Sequence, residues 1–186
     1  LIVGLLLTTL RQRLRALKRL ATTDALTGLF SRHALGDRLR HDIALTQRRQ
    51  SALTLAYVDV DDFKLVNDTH GHAQGDHLLQ LVGSVLMRST RKSDTAARVG
   101  GDEFVVVMPD TDGQGAAQVI QKIAREFQDA FGASHLQATC SIGVVTFQDT
   151  ALLSPSRAMA VADELMYRVK RKGKDAVEFA VWGSAG

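Results

Sequence analysis

Cysteine occurs once, at Cys140, so no disulfide can form within the chain, which fits a reducing compartment. Aromatic residues are 5% of the 186, too few for the stacking platforms of single-strand nucleic-acid binders. A dominant charge is also lacking. The net charge is +3, and five basic residues are gathered in Arg11, Arg13, Arg15, Lys18 and Arg19. The rest of the chain is near neutral, so no basic groove for a nucleic acid is expected. Internal repeats and low-complexity tracts are absent. Nor does the apolar stretch Leu1–Leu10 reach the ~20 residues that span a bilayer.

What is present is a hydrophobic content of 45%, enough for one domain with a sizeable core and an appendage. Basic residues directly after an apolar run mark the cytoplasmic side of a membrane helix, whereas a secretory signal has the reverse order. Residues 1–22 are therefore expected to be the end of a transmembrane helix and a basic amphipathic linker helix. The expectation extends to a cytoplasmic domain anchored at the inner membrane, with a membrane-embedded or sensor region upstream of residue 1. An amphipathic surface helix or a soluble linker stays open. Leu10, Leu14, Leu17 and Ala21 follow 4-3-4 spacing, a short stripe suited to pairing with a second copy.

Periodicity predicts helices over Ser31–Gln47, Asp62–Asn67, His72–Arg88, Gly115–Phe131 and Ser154–Arg171, with Ser31 as an N-cap. Strands are predicted over Ala52–Asp59, Ala96–Val99, Phe104–Met108, Leu136–Phe147 and Ala176–Val181. Cys140, Met159 and Met166 read as core. The elements lack strict βαβ alternation and include a hairpin, so an α+β fold with a mainly antiparallel sheet is expected.

Chemistry is concentrated in two segments. In Arg98-Val99-Gly100-Gly101-Asp102-Glu103-Phe104 a hairpin tip carries two glycines and two acids. Such a tip is expected to use φ > 0 and to let a ligand approach the backbone. Its paired carboxylates suit a hard divalent cation carrying phosphates. In Tyr57-Val58-Asp59-Val60-Asp61-Asp62-Phe63-Lys64 an apolar strand ends in acids. Asn67, Gly71-His72 and Gly75-Asp76 then lead into a second helix. Asp61 and Asp68 read as helix caps. Asp59 does not, because it lies inside the β-run, where a lone carboxylate is costly to bury. His70, His72 and His77 lack the cysteine or regular spacing of a zinc site.

With Asp24-Ala25-Leu26-Thr27-Gly28-Leu29, Ser141-Ile142-Gly143-Val144 and Ala162–Lys170, these segments stand in the order of the GGDEF family of diguanylate cyclases, which the chain resembles over about 24–177. The resemblance implies a palm-like sheet, of nucleotide-cyclase or ferredoxin-like type, over 23–182, with 183–186 as a tail. It implies condensation of two GTP into cyclic di-GMP by a facing homodimer with product inhibition. Mg²⁺ or Mn²⁺, two per site, would sit on Asp59, the Val60 carbonyl and Asp102, with Glu103 contributing. Asp102 matches the proton acceptor, with Glu103 and Lys64 as further catalytic positions. The amides of Asp62 and Phe63, together with Lys170 and Lys174, match phosphate contacts; Asn67 and Asp76 match the guanine contacts, and His72 another substrate contact. Arg91-Lys92-Ser93-Asp94, five residues before Gly100, matches the inhibitory product site, with Lys122 as a second basic contact. A catalytically inactive module that senses GTP or cyclic di-GMP is the alternative. A polymerase on the same sheet is disfavoured by the lack of finger and thumb domains.

Overall fold

The computed structural model describes residues 22–134 and 136–183. The expectations for the apolar stretch, the basic linker and the leucine stripe lie outside the described residues. Among the described residues no helix is long and apolar enough to cross a membrane.

Six strands and five helices follow in the order β1 (Phe30–Ser31), α1 (Arg32–Arg49), β2 (Leu53–Val60), α2 (Phe63–His70), α3 (His72–Ser89), β3 (Thr95–Arg98), β4 (Glu103–Pro109), α4 (Gly113–Ala133), β5 (Cys140–Phe147), α5 (Pro155–Lys172) and β6 (Ala176–Trp182). Side-chain caps set three helix starts. Ser31 accepts from the Ala34 amide, Asp112 from that of Gly115, and Ser154 from that of Arg157. The Asp112 cap opens α4 at Gly113, ahead of its predicted start.

The sheet order is β1-β3-β4-β2-β5-β6. β2 is central, and all eight of its residues are buried, as expected of a strand covered on both faces. It pairs antiparallel with β4 and β5, and β3 pairs antiparallel with β4. The outer pairings, β1 with β3 and β5 with β6, are parallel. The sheet is thus mixed, and its expected antiparallel character holds for the inner strands. β6 joins in parallel because α5 carries the chain back across the sheet before it pairs. β1 was not anticipated, since two residues show no periodicity.

Alternation along β2 divides the core. Ala56, Val58 and Val60 pack with Leu78, Val82, Ile120 and Phe127 from α3 and α4. Leu53, Leu55 and Tyr57 pack with Leu35, Leu39, Leu165 and Met166 from α1 and α5. Cys140 belongs to the first core, and burial pushes its thiol well above the usual range, which leaves it unreactive. At Gly143 on β5 a Cβ would lie 2.3 Å from the Met166 amide nitrogen and 2.7 Å from the Ala162 carbonyl oxygen. The backbone of α5 therefore rests directly on the sheet.

Candidate active site

The central strand delivers its acids to the sheet edge. Register puts Asp59 opposite Glu103 on β4 and opposite Ser141 on β5. Just beyond, the Val60 amide donates to the Asp102 carbonyl (3.1 Å), which draws the hairpin tip against the end of β2. Asp59 is buried, and Lys170 Nζ donates to its Oδ1 at 2.7 Å. Burial pushes the Asp59 carboxyl up to about 6; Lys170 pulls it down, and the neighbouring charges of Asp102 and Glu103 push it further up. Burial works against the Lys170 ammonium as well, but Asp59 outweighs it and raises the lysine's pKa. Mutual repulsion among these acids is what a bound cation would relieve.

The hairpin corrects one expectation. Neither Gly100 nor Gly101 adopts a left-handed φ. A Cβ on Gly100 would stand 2.2 Å from Glu103 Oε2, so a larger residue there would make the Glu103 side chain swing aside. The tip is closed by the Val99 amide donating to the Glu103 carbonyl (2.9 Å) and by Arg98 Nη2 donating to the Gly101 carbonyl (2.7 Å). Arg98 also pairs with Asp24 at 3.2 Å, which joins the hairpin to the opening turn.

Three residues past Asp59, Asp62 turns the chain out of β2 with φ 53° and begins α2 without a side-chain cap. The first-turn amides of α2, Phe63 among them, have no intrahelical acceptor, an arrangement suited to anions. Lys64 lies exposed on that turn. Lys174, just past α5, donates from Nζ to Asp62 Oδ1 at 2.6 Å. Asn67 reaches over the start of α3, where a Cβ on Gly75 would meet its Oδ1 at 1.9 Å. His72 and Asp76 are exposed on the first turns of α3. The cap expectations for Asp61 and Asp68 fail. Asp68 lies exposed within α2, and Gly71 joins α2 to α3. Asp61 is buried and accepts hydrogen bonds from Thr139, Ser141 and the Asp175 amide.

Among the described residues no three His, Cys, Asp or Glu side chains form a ready-made metal cluster. Two carboxylates and a backbone carbonyl nevertheless fit Mg²⁺, which binds few protein oxygens and completes its shell with phosphates and water. Hard oxygen donors at this end of β2 are the carboxylates of Asp59, Asp102 and Glu103 and the Val60 carbonyl.

Residues 21–176 match the family described as "Diguanylate cyclase, GGDEF domain". The chain belongs to the GGDEF family. It is 36% identical over 163 residues to diguanylate cyclase DgcP of Pseudomonas aeruginosa, covering 86% of this chain and 24% of that protein. It is 32% identical to diguanylate cyclase DgcS of Shewanella oneidensis, covering 83% of this chain and 51% of that protein. The chain thus spans about half, or less, of these curated relatives. Among solved structures, the coiled coil and GGDEF domain of DgcB from Caulobacter crescentus, in complex with c-di-GMP, superposes with a TM-score of 0.77 at 29% identity, covering 96% of this chain and 95% of that one. The GGDEF palm-like fold is therefore the fold of this chain.

A second constellation lies beyond the GGDEF hairpin. The Arg91 amide donates to Asp94 Oδ2 (2.8 Å), and the Asp94 amide to the Arg91 carbonyl (3.0 Å). Buried Asp94 fixes this turn, while the Arg91 side chain is exposed beside a cleft that Phe30, Arg38 and Met87 also line. Lys122 does not line that cleft. It pairs with Glu126 at 3.7 Å, and Glu126 also holds Arg88.

Proposed function

We propose that this chain is a diguanylate cyclase domain that condenses two GTP into cyclic di-GMP. The observation that carries the reading is the hairpin pair Asp102–Glu103 held against the end of β2, where Lys170 meets buried Asp59 and Lys174 meets Asp62. In the reaction each 3′-oxygen attacks the α-phosphate of the facing GTP. Two P–O bonds form, two pyrophosphates leave and two protons are released. Asp59, the Val60 carbonyl and Asp102, with Glu103 contributing, would hold Mg²⁺ or Mn²⁺, which would supply Lewis-acid activation and charge neutralisation. Asp102 accepts the 3′-hydroxyl proton. The α2 amides, Lys64, Lys170 and Lys174 hold the phosphates and offset charge on the transferring group. Asp76 accepts from the guanine N1–H and N2–H₂ edge, Asn67 donates to O6, and His72 adds a substrate contact.

One domain presents one such pocket, and the product has two-fold symmetry, so two copies face each other. Incubation with GTP and Mg²⁺ should yield cyclic di-GMP and pyrophosphate, whereas ATP should yield neither. Adenine leaves Asp76 without its donors, and a site built on such hydrogen bonds rejects the wrong base. Pyrophosphate release from both nucleotides at equal rates would refute the assignment.

Cyclic di-GMP carries phosphates and guanines that the Arg91 guanidinium can bind and stack upon. Arg91→Ala is expected to raise the product concentration needed for half-inhibition by about 10-fold, a contact worth ~1.4 kcal/mol, without lowering the initial rate. Product titrations of both proteins decide it. Superimposable inhibition curves would leave competition at the active site as the sole cause.

A further inference from the structure

Asp61 is almost fully enclosed, with 2% of its surface exposed. Two residues beyond Asp59, it continues the same face of the strand path. Its Oδ1 accepts from Ser141 Oγ at 2.7 Å. Its Oδ2 accepts from Thr139 Oγ1 at 2.7 Å and from the Asp175 amide at 3.1 Å. Its own amide donates to the Thr139 carbonyl at 2.8 Å. Among the described residues no lysine or arginine forms a salt bridge with it. A buried carboxylate filled by neutral donors serves as an acceptor for the groups around it.

The donor that matters most is the Asp175 amide. Gly173, Lys174 and Asp175 have φ of 131°, 64° and 44°, three successive residues in the left-handed region. Lysine and aspartate enter that region only where surrounding contacts hold them. Here the Lys174 amide donates to the Val169 carbonyl (3.2 Å), and the Asp175 amide is held by Asp61. The contacts close a ring: Asp61 grips the turn, the turn carries Lys174, and Lys174 reaches Asp62, the residue next to Asp61.

We propose that Asp61 is the positioning residue for the triphosphate end of the site, fixing the 173–175 turn so that Lys174 is presented beside Asp62. This rests on the reading above that Lys174 contacts the phosphates. Asp61 acts here as a hydrogen-bond acceptor, so its charge is dispensable. Asn keeps its oxygen as acceptor for the Asp175 amide and the Thr139 hydroxyl, and the Ser141 hydroxyl can reorient to accept from the new NH₂ group. Leu keeps the volume and provides no acceptor.

The test is calorimetric binding of a non-hydrolysable GTP analogue and of GMP, each with Mg²⁺. Asp61→Leu should weaken the analogue by about 10-fold, the scale of one charge-assisted contact, and GMP by less than about 2-fold. Asp61→Asn should restore binding to near wild type. In a double-mutant cycle, Lys174→Ala should weaken the analogue in the wild-type background and add little to Asp61→Leu. If Asp61→Leu fails to fold, Thr139→Val removes one anchor of the same carboxylate and should give a smaller, analogue-specific loss of about 3-fold. Equal weakening of analogue and GMP, or full additivity with Lys174→Ala, would reduce Asp61 to a structural residue and overturn the proposal. A wild-type chain that binds the analogue yet makes no cyclic di-GMP would remove the cyclase reading and leave the positioning test intact. A chain that binds neither nucleotide would sink both.

Discussion

Asp102→Ala should lower cyclic di-GMP formation by about 10³-fold, since on the proposed reading it removes the proton acceptor and a metal oxygen together. The fold should survive. Asp102 contributes its backbone carbonyl to the Val60 amide, a bond that alanine retains. Its carboxylate is partly exposed and makes no hydrogen bond among the described residues, so the thermal midpoint should stay within about 2 °C, a change under ~1 kcal/mol. Loss of one like charge should also move the Asp59 carboxyl down from about 6, because Asp102 is one of the groups pushing it up. Product chromatography, a melting curve and a ¹³C titration of Asp59 separate these effects. Product formation near the wild-type rate would show that the proton leaves by another route.

The second large effect lies outside the chemistry. Gly143→Ala places a methyl group where the α5 backbone already sits, within 3 Å of the Met166 nitrogen, the Ala162 oxygen and the Leu165 carbonyl carbon. Neither side has a flexible side chain to give way. Overpacking of this kind costs about 3 kcal/mol, which for a domain of this size lowers Tm by roughly 6–12 °C. Lys170 lies one helical turn beyond Met166, so lifting α5 also draws its ammonium away from Asp59. A melting temperature unchanged by the substitution would mean that α5 adjusts freely over β5.

Much of this was legible in the sequence because local chemistry and function coincide. Ser31 and Ser154 announce their helices by capping them, and the acids of the hairpin and of β2 sit at element ends, where side chains meet ligands. What escaped was what depends on remote partners. Asp61 resembles a cap in a row of acids, yet its hydrogen-bond donors lie 78 to 114 residues further along the chain. Its two-residue offset from Asp59 was the available sign that it stays on the strand face. Gly100 reads in sequence as a residue chosen for its backbone angle, and only the folded hairpin shows that its φ lies outside the left-handed region. The parallel edge strands were likewise hidden, because β6 takes its direction from where α5 deposits it.

The two lysine contacts bridge the ends of the domain. Lys170 meets Asp59 across 111 residues, and Lys174 meets Asp62 across 112. Contacts so distant in sequence form late, since the intervening chain must be ordered first. During synthesis the acids leave the ribosome long before their cationic partners exist. A nascent chain therefore exposes a cluster of negative charge without the two distal lysines proposed to help hold the triphosphate, and full nucleotide capture waits until both have been made and folded back.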